Sequence, residues 1–180
     1  MYKRQVQGNL LNPGSSAKKV CIIDTGYDAD HEDLPSATGG TSGAVGSWNN
    51  DGNGHGTHVA GTVAALDNSV GVVGVYPGAP LHIVKIFNDA GNWTSTSDLL
   101  DAIQQCKNNG ADVVSMSLGG SGSSTSERNS MQAFVDGGMM LVAAAGNAGN
   151  SSLSYPASYD AVISVAAVDS SESVASFSQY

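Results

Sequence analysis

Three short segments carry side chains whose types suit proton transfer and charge stabilisation. They are Ile23-Asp24-Thr25-Gly26, Asn53-Gly54-His55-Gly56-Thr57-His58-Val59-Ala60-Gly61 and Ala145-Gly146-Asn147. Between them they offer a carboxylate, an imidazole and a carboxamide. An imidazole titrates near neutral pH, so it can take and return a proton under ordinary conditions. A carboxylate can accept a ring N–H, and a carboxamide can donate a hydrogen bond. Taken singly these residues say little, because a turn aspartate or a structural histidine is just as common. The set singles them out. His58, three positions after His55, gives an HxxH spacing that places two imidazoles on one helix face. A metal pair there would need a third ligand and often an adjacent glutamate, and none follows His55, so metal ligation is not expected. His31 and His82 read as structural or surface residues.

The surrounding sequence predicts the elements that must hold these groups. Residues 1–18 read as an irregular lead-in with a turn at Asn12-Pro13-Gly14. Residues 20–23 (Val-Cys-Ile-Ile) form a continuous apolar run that stops at Asp24, as a strand buried on both faces would. Residues 35–54 are rich in Gly, Ser and Asn without periodicity and read as loop. Residues 55–66 are small and apolar, a tightly buried helix, and a turn-rich stretch with Gly71, Gly74, Pro77, Gly78 and Pro80 follows. Residues 81–87 read as a strand. Leu99, Ala102, Ile103 and Cys106 then fall at helical spacing, with Ser95 and Asp98 in capping-box relation and Gly110 as the stop. Residues 112–116 form a strand. Ser124 and Glu127 open a second capped helix with Met131, Phe134 and Val135 on its apolar side, ending at Gly137. Residues 139–145 and 161–168 read as strands. Alternating strands and helices predict an α/β fold with a parallel sheet and right-handed crossovers. Ligands of such sheets gather beyond the carboxyl ends of the strands, where Asp24, residues 115–120 and Gly146-Asn147 fall.

The chain has 180 residues, of which 41% are hydrophobic, as suits one globular domain. A net charge of −9 leaves few cations to neutralise phosphates, so a nucleic-acid partner is not expected. No run approaches eighteen apolar residues, so no membrane span is expected. The first residues, Met-Tyr-Lys-Arg-Gln, lack an apolar region behind their basic pair and do not read as a secretory signal. Cys21 and Cys106 match no zinc or haem spacing and both fall on buried faces. They read first as two inert thiols, with a bond between them as the alternative. A nucleotide-binding module is set aside, because no G-x-G-x-x-G or P-loop stands between a strand and a helix.

The three chemical segments resemble the aspartate, histidine and oxyanion-hole motifs of the subtilisin-like serine proteases. They come in that family's order of aspartate, histidine, serine, with a similar Asp-to-His separation. The resemblance runs from about Val20 to Phe177 and takes in Ser117-Leu118-Gly119-Gly120 and Tyr155-Pro156-Ala157. It implies a three-layer fold, a mostly parallel central sheet flanked by helices, with residues 1–180 as one incomplete catalytic domain. It implies an endopeptidase in which His55 is the general base, Asp24 orients and stabilises it, and the Asn147 amide contacts the oxyanion. Ser117, Leu118 and Gly119 would pair with the substrate backbone as an added strand. Ala144, Ala145 and Gly146 would wall a pocket for the side chain before the scissile bond. Those walls are small and apolar, which suggests a preference for large apolar or aromatic side chains. The loop 66–72 resembles the family's calcium loop, with carbonyls of Leu66, Val70 and Val72, the Asn68 side chain and the Asp33 carboxylate as ligands.

The family's serine sits in a Gly-Thr-Ser-Met-Ala motif. The nearest likeness, Gly40-Thr41-Ser42-Gly43-Ala44, lies between Asp24 and His55, which is the wrong order, and it reads as loop. On the reference spacing the serine is expected roughly 65 residues after Asn147. The chain as given is therefore expected to stop before it and to be inactive. The resemblance further implies a secreted enzyme acting on proteins or peptides and made with a propeptide. The competing expectation is a non-catalytic binding or structural protein of the same fold.

Overall fold

The computed structural model describes residues 17–93 and 95–180; the lead-in turn expected at Asn12–Gly14 lies outside them. The chain divides into two compact units, one ending at Asp112 and one spanning Val113–Tyr180.

The first unit contains β1 (Val20–Asp24), β2 (Ala37–Thr41), α1 (His55–Ala64), β3 (Leu81–Lys85) and α2 (Thr96–Asn108). Its strands pair in the order β2-β3-β1, all parallel. The register aligns Thr41 with Lys85 and Lys85 with Asp24, so the three carboxyl ends are level. Successive strand side chains point to opposite faces. Ile22 packs into a cluster with Ala60 and Ala64 of α1, together with Tyr27, Leu81 and Ile83. Its neighbour Cys21 is bonded to Cys106 of α2. The two helices therefore cover opposite faces, and this unit alone has the expected three layers. The apolar stripe of α2, Leu99, Ala102, Ile103 and Cys106, is fully buried, and the Ser95 side chain accepts from the Asp98 amide as the capping pattern predicted.

Two expectations are corrected here. The cysteines are not free thiols: Cys21 and Cys106 form a disulfide across 85 positions, their Cα atoms 5.7 Å apart. Both lie where the helix stripe meets the strand face, within bridging distance, and such bonds persist in oxidising compartments. The loop read at 35–54 contains β2. Its Ala-Thr-Gly-Gly-Thr sequence lacks apolar alternation because neighbours supply the packing. A Cβ on Gly39 would lie 2.3 Å from the Trp48 ring, and one on Gly40 would lie 2.4 Å from the Gln105 side chain.

His82 of β3 is buried, its Nδ1 2.9 Å from the Thr38 hydroxyl and its Nε2 without a partner in the structure. Burial, helped by the nearby Lys19 charge, pushes its pKa below the ordinary value. The unfolded chain thus takes up this proton at a higher pH than the folded one. The stability associated with neutral His82 is complete above about pH 6.5 and is lost as pH falls toward and through the folded pKa. One such proton contributes a slope of at most about 1.4 kcal/mol per pH unit. His82→Leu should flatten that part of the acid limb, read as urea midpoints at pH 7.5 and 5; an unchanged difference between those midpoints would contradict this.

The second unit contains β4 (Val113–Met116), α3 (Thr125–Asp136), β5 (Met140–Ala144) and β6 (Ile163–Val165), with the strands parallel in the order β4-β5-β6. The Ser124 side chain caps α3 by accepting from the Glu127 amide, and Met131 and Phe134 are buried as expected. Glu127 is buried as well, which a carboxylate needs a partner to tolerate; the Tyr159 hydroxyl donates to it at 2.7 Å. Strand β6 covers only three of the eight positions expected and is exposed throughout. Gly120 and Tyr155 exchange both backbone hydrogen bonds, at 2.9 and 2.7 Å, which sets the stretch after β4 antiparallel to the one around Tyr155.

Candidate active site

In the first unit the chain brings Asp24 and His55 together. Asp24 is the last residue of β1 and only 2% exposed. His55 is the first residue of α1, and its Nδ1 lies 2.7 Å from Asp24 Oδ1. The Thr25 backbone N–H donates to the same oxygen at 2.7 Å, while Oδ2 is buried without a partner. Burial pushes the Asp24 carboxyl above its usual range, against the opposing hydrogen bonds from His55 and Thr25. A carboxylate can only accept, so Nδ1 carries the ring proton and Nε2 is left as the basic nitrogen. The His55 side chain is half-exposed, which keeps the ring accessible.

This proximity depends on the absence of side chains. A Cβ on Gly56 would lie 2.3 Å from the Gly26 carbonyl oxygen and 3.1 Å from Asp24 Cβ, so α1 reaches the end of β1 only with glycine there. The groups around the pair stand in no motif of the sequence. Lys85 is 1% exposed, and its ammonium donates to the Thr25 carbonyl, to the Asn50 carbonyl at 3.0 Å and to Asp89 at 2.7 Å. The visible signal was a lysine ending an otherwise apolar strand. Asp51 accepts from the Thr25 hydroxyl (2.8 Å), the Gly54 amide (2.9 Å), and the Thr57 amide (2.9 Å) and hydroxyl (2.6 Å). Burial works the other way, but bonds from Thr57, Thr25 and Gly54 hold the Asp51 carboxyl below its ordinary range. His58 is not paired with His55 but lines a separate cavity of about 700 Å³ with His31 and Val72.

In the second unit Asn147 and five of the six expected substrate residues share one cavity of about 420 Å³: Ser117, Leu118, Gly119, Ala144 and Gly146. Ala145 is not on its lining; its amide continues the strand by donating to the Val165 carbonyl at 2.9 Å. Gln179 and Ser154 also line this cavity, and no motif marked either. Gly146 has φ of +116°, and a Cβ there would lie 1.9 Å from Gln179 Oε1, so only glycine lets this turn form against the glutamine.

The residues expected at the calcium loop also converge. Asp33 is 3% exposed, and its carboxylate accepts from Asn68 Nδ2 at 3.0 Å and from the Val72 amide at 2.8 Å. Leu66 donates its amide to the Asp33 carbonyl, and Val70 donates to Asn68 Oδ1. Gly71 has φ of +59°, and a Cβ there would lie 2.1 Å from Asp33 Oδ2, so the loop is wrapped tightly round that carboxylate.

A carboxylate–imidazole pair at the carboxyl end of a parallel strand stands where ligands of such sheets gather, and it can transfer protons. Residues 15–180 match the Peptidase_S8 model, described as the subtilase family. The chain belongs to the subtilase family. It is 50% identical over 165 residues to subtilisin DY of Bacillus licheniformis, covering 89% of this chain and 60% of that protein. It is 43% identical to subtilisin Savinase of Lederbergia lenta, covering 92% and 61%. A crystal structure of a psychrophilic subtilisin-like protease from the Antarctic psychrotroph Pseudoalteromonas sp. AS-11 aligns with a TM-score of 0.90 at 51% identity. That alignment covers 99% of this chain and 42% of the other. The chain thus spans about 60% of the length of these two curated relatives.

Proposed function

We propose that the full-length protein carrying this chain is a serine endopeptidase in which Asp24 and His55 are two members of an Asp-His-Ser triad. The observation that carries this reading is the 2.7 Å hydrogen bond between buried Asp24 and His55. Held by Asp24, His55 presents an unprotonated Nε2 that takes the proton of an attacking serine hydroxyl and later returns it to the leaving amine. Asp24 fixes the tautomer and stabilises the imidazolium while it lasts. Asn147 donates its amide to the oxyanion of the tetrahedral intermediate, and the cavity beside it takes the side chain before the scissile bond. Its walls, Leu118, Ala144 and Gly146, favour a large apolar group.

On this reading the nucleophile lies outside these 180 residues. The full-length protein should hydrolyse a chromogenic peptide with a large apolar residue before the cleaved bond, and a serine-directed phosphonyl reagent should stop it. The 180 residues alone should not turn over. Sustained hydrolysis by the 180-residue chain, blocked by the same reagent, would overturn the triad assignment. Secretion, and synthesis with a propeptide, belong to the same reading; among the described residues no helix is long and apolar enough to cross a membrane.

Calcium belongs to it too. The buried Asp33 carboxylate accepts from the Asn68 side-chain amide and the Val72 backbone amide, and the loop 66–72 passes close against it at Gly71. An all-oxygen set from Asp33, Asn68, Leu66, Val70 and Val72 suits Ca²⁺, which would supply structural cohesion and no chemistry. Asp33→Ala in the full-length protein should leave kcat within about twofold while abolishing the calcium-dependent rise in unfolding temperature. A variant whose unfolding temperature still climbs with calcium would refute the assignment.

A further inference from the structure

The first turn of α1 has an unusual anchorage. Its N-cap residue, Gly54, has φ of +87° and offers no side chain to the free amides of the helix. Those amides are instead satisfied from outside. The Thr57 amide goes to Asp51 Oδ2 and the Gly56 amide to the Thr25 hydroxyl oxygen, both at 2.9 Å. The same Thr25 hydroxyl donates to Asp51 Oδ1 at 2.8 Å. Thr25 directly follows Asp24, and Gly56 directly follows His55. One hydroxyl thus ties the residue after the carboxylate to the residue after the imidazole, and the Asp51 carboxylate orients that hydroxyl. Thr25 is 5% exposed, so water cannot readily replace the bond.

We infer that Thr25 and Asp51 act as positioning residues, a side-chain relay that sets the distance between Asp24 and His55. The inference rests on the reading of those two residues as the acid–base pair. Because the Thr25 hydroxyl spends its proton on Asp51, its lone pairs face the Gly56 amide and hold it at one separation from β1. Losing the hydroxyl leaves the amide buried and unsatisfied, and the first turn must shift to find a partner. Neither residue supplies an atom that reacts, although the Thr25 amide also holds Asp24 Oδ1, so the damage falls on the alignment of His55 with Asp24. Displacements near 1 Å in such a pair can cost about 10²-fold in rate.

The test uses the full-length protein. Thr25→Val keeps the shape and removes only the hydroxyl; Thr25→Ser restores it. We expect Thr25→Val to lower kcat roughly 10- to 100-fold with KM changed less than about threefold, and Thr25→Ser to recover most of the rate. Asp51→Asn, which keeps the volume and one acceptor oxygen, should move kcat in the same direction. In proton spectra, the low-field resonance of the His55 Nδ1 proton should weaken or shift in Thr25→Val and return in Thr25→Ser. A purely structural role would lower the unfolding temperature of Thr25→Val without moving that resonance or kcat, and that result overturns the proposal. His55→Ala separates the two readings. If it abolishes turnover while Thr25→Val and Asp51→Asn retain full kcat, the relay is refuted and the acid–base pair stands. If His55→Ala itself remains active, the pair is refuted and the relay with it.

Discussion

His55→Ala in the full-length protein should lower kcat by roughly 10⁶, with a KM little changed. That magnitude belongs to subtilisin, the reference case for such triads. The direction follows from this chain. His55 is the imidazole that Asp24 holds, at 2.7 Å, and His58 faces a different cavity with His31. His82 is buried in β3 and hydrogen-bonded to Thr38, too enclosed to serve as a substitute base. Without an imidazole at position 55 the serine keeps its proton at neutral pH and is a poor nucleophile. What survives is the assistance from substrate binding and oxyanion stabilisation. Single-turnover measurements on the purified variant give the readout; a loss smaller than about 10²-fold would mean that His55 is not the base.

Asn147→Ala should lower kcat by on the order of 10²–10³ while leaving KM nearly unchanged, again a magnitude that belongs to subtilisin. An amide aimed at an oxyanion meets its full charge only near the transition state, so ground-state binding barely registers its loss. The placement of Asn147 supports that role. It follows Gly146, whose left-handed conformation turns the chain at the end of β5, and it lines the same cavity as Ser117, Leu118 and Gly119. The decisive comparison is made at saturating substrate. An unchanged kcat there would reduce Asn147 to a turn residue.

How far the sequence disclosed this molecule depended on whether a segment carries its own signal or borrows its stability from neighbours. Strand β1 is a run of apolar residues ended by Asp24, and α2 has both a cap and a buried stripe, so each was visible within its own window. Strand β2 has neither. Its glycines are explained by Trp48 and Gln105, the second of which lies more than sixty positions away. The Cys21–Cys106 bond is hidden for the same reason: sequence places each cysteine on a buried face but not the two faces against each other. Asp24, His55 and Asn147 stand in short recognisable segments. Asp51 and Lys85 do not, and much of what each holds is backbone, the Gly54 and Thr57 amides for one and the Thr25 and Asn50 carbonyls for the other, which leaves no mark on the partner's identity. Gln179 is similar: its presence is written only in the glycine it presses against, Gly146.

The disulfide has a bearing on how such a chain withstands a cut in its backbone. The stretch between Cys21 and Cys106 contains the glycine- and asparagine-rich segment 42–54 and the turn-rich segment 66–80, largely exposed stretches of the kind that proteases nick first. A single cut anywhere in that stretch yields two pieces that remain one covalent molecule, with β1 still fastened to α2. Such damage is silent on a denaturing gel run without reductant and appears as two bands only after the bond is reduced. Asp24 lies on one side of a cut in either segment, and the bond keeps that piece from diffusing away from the rest.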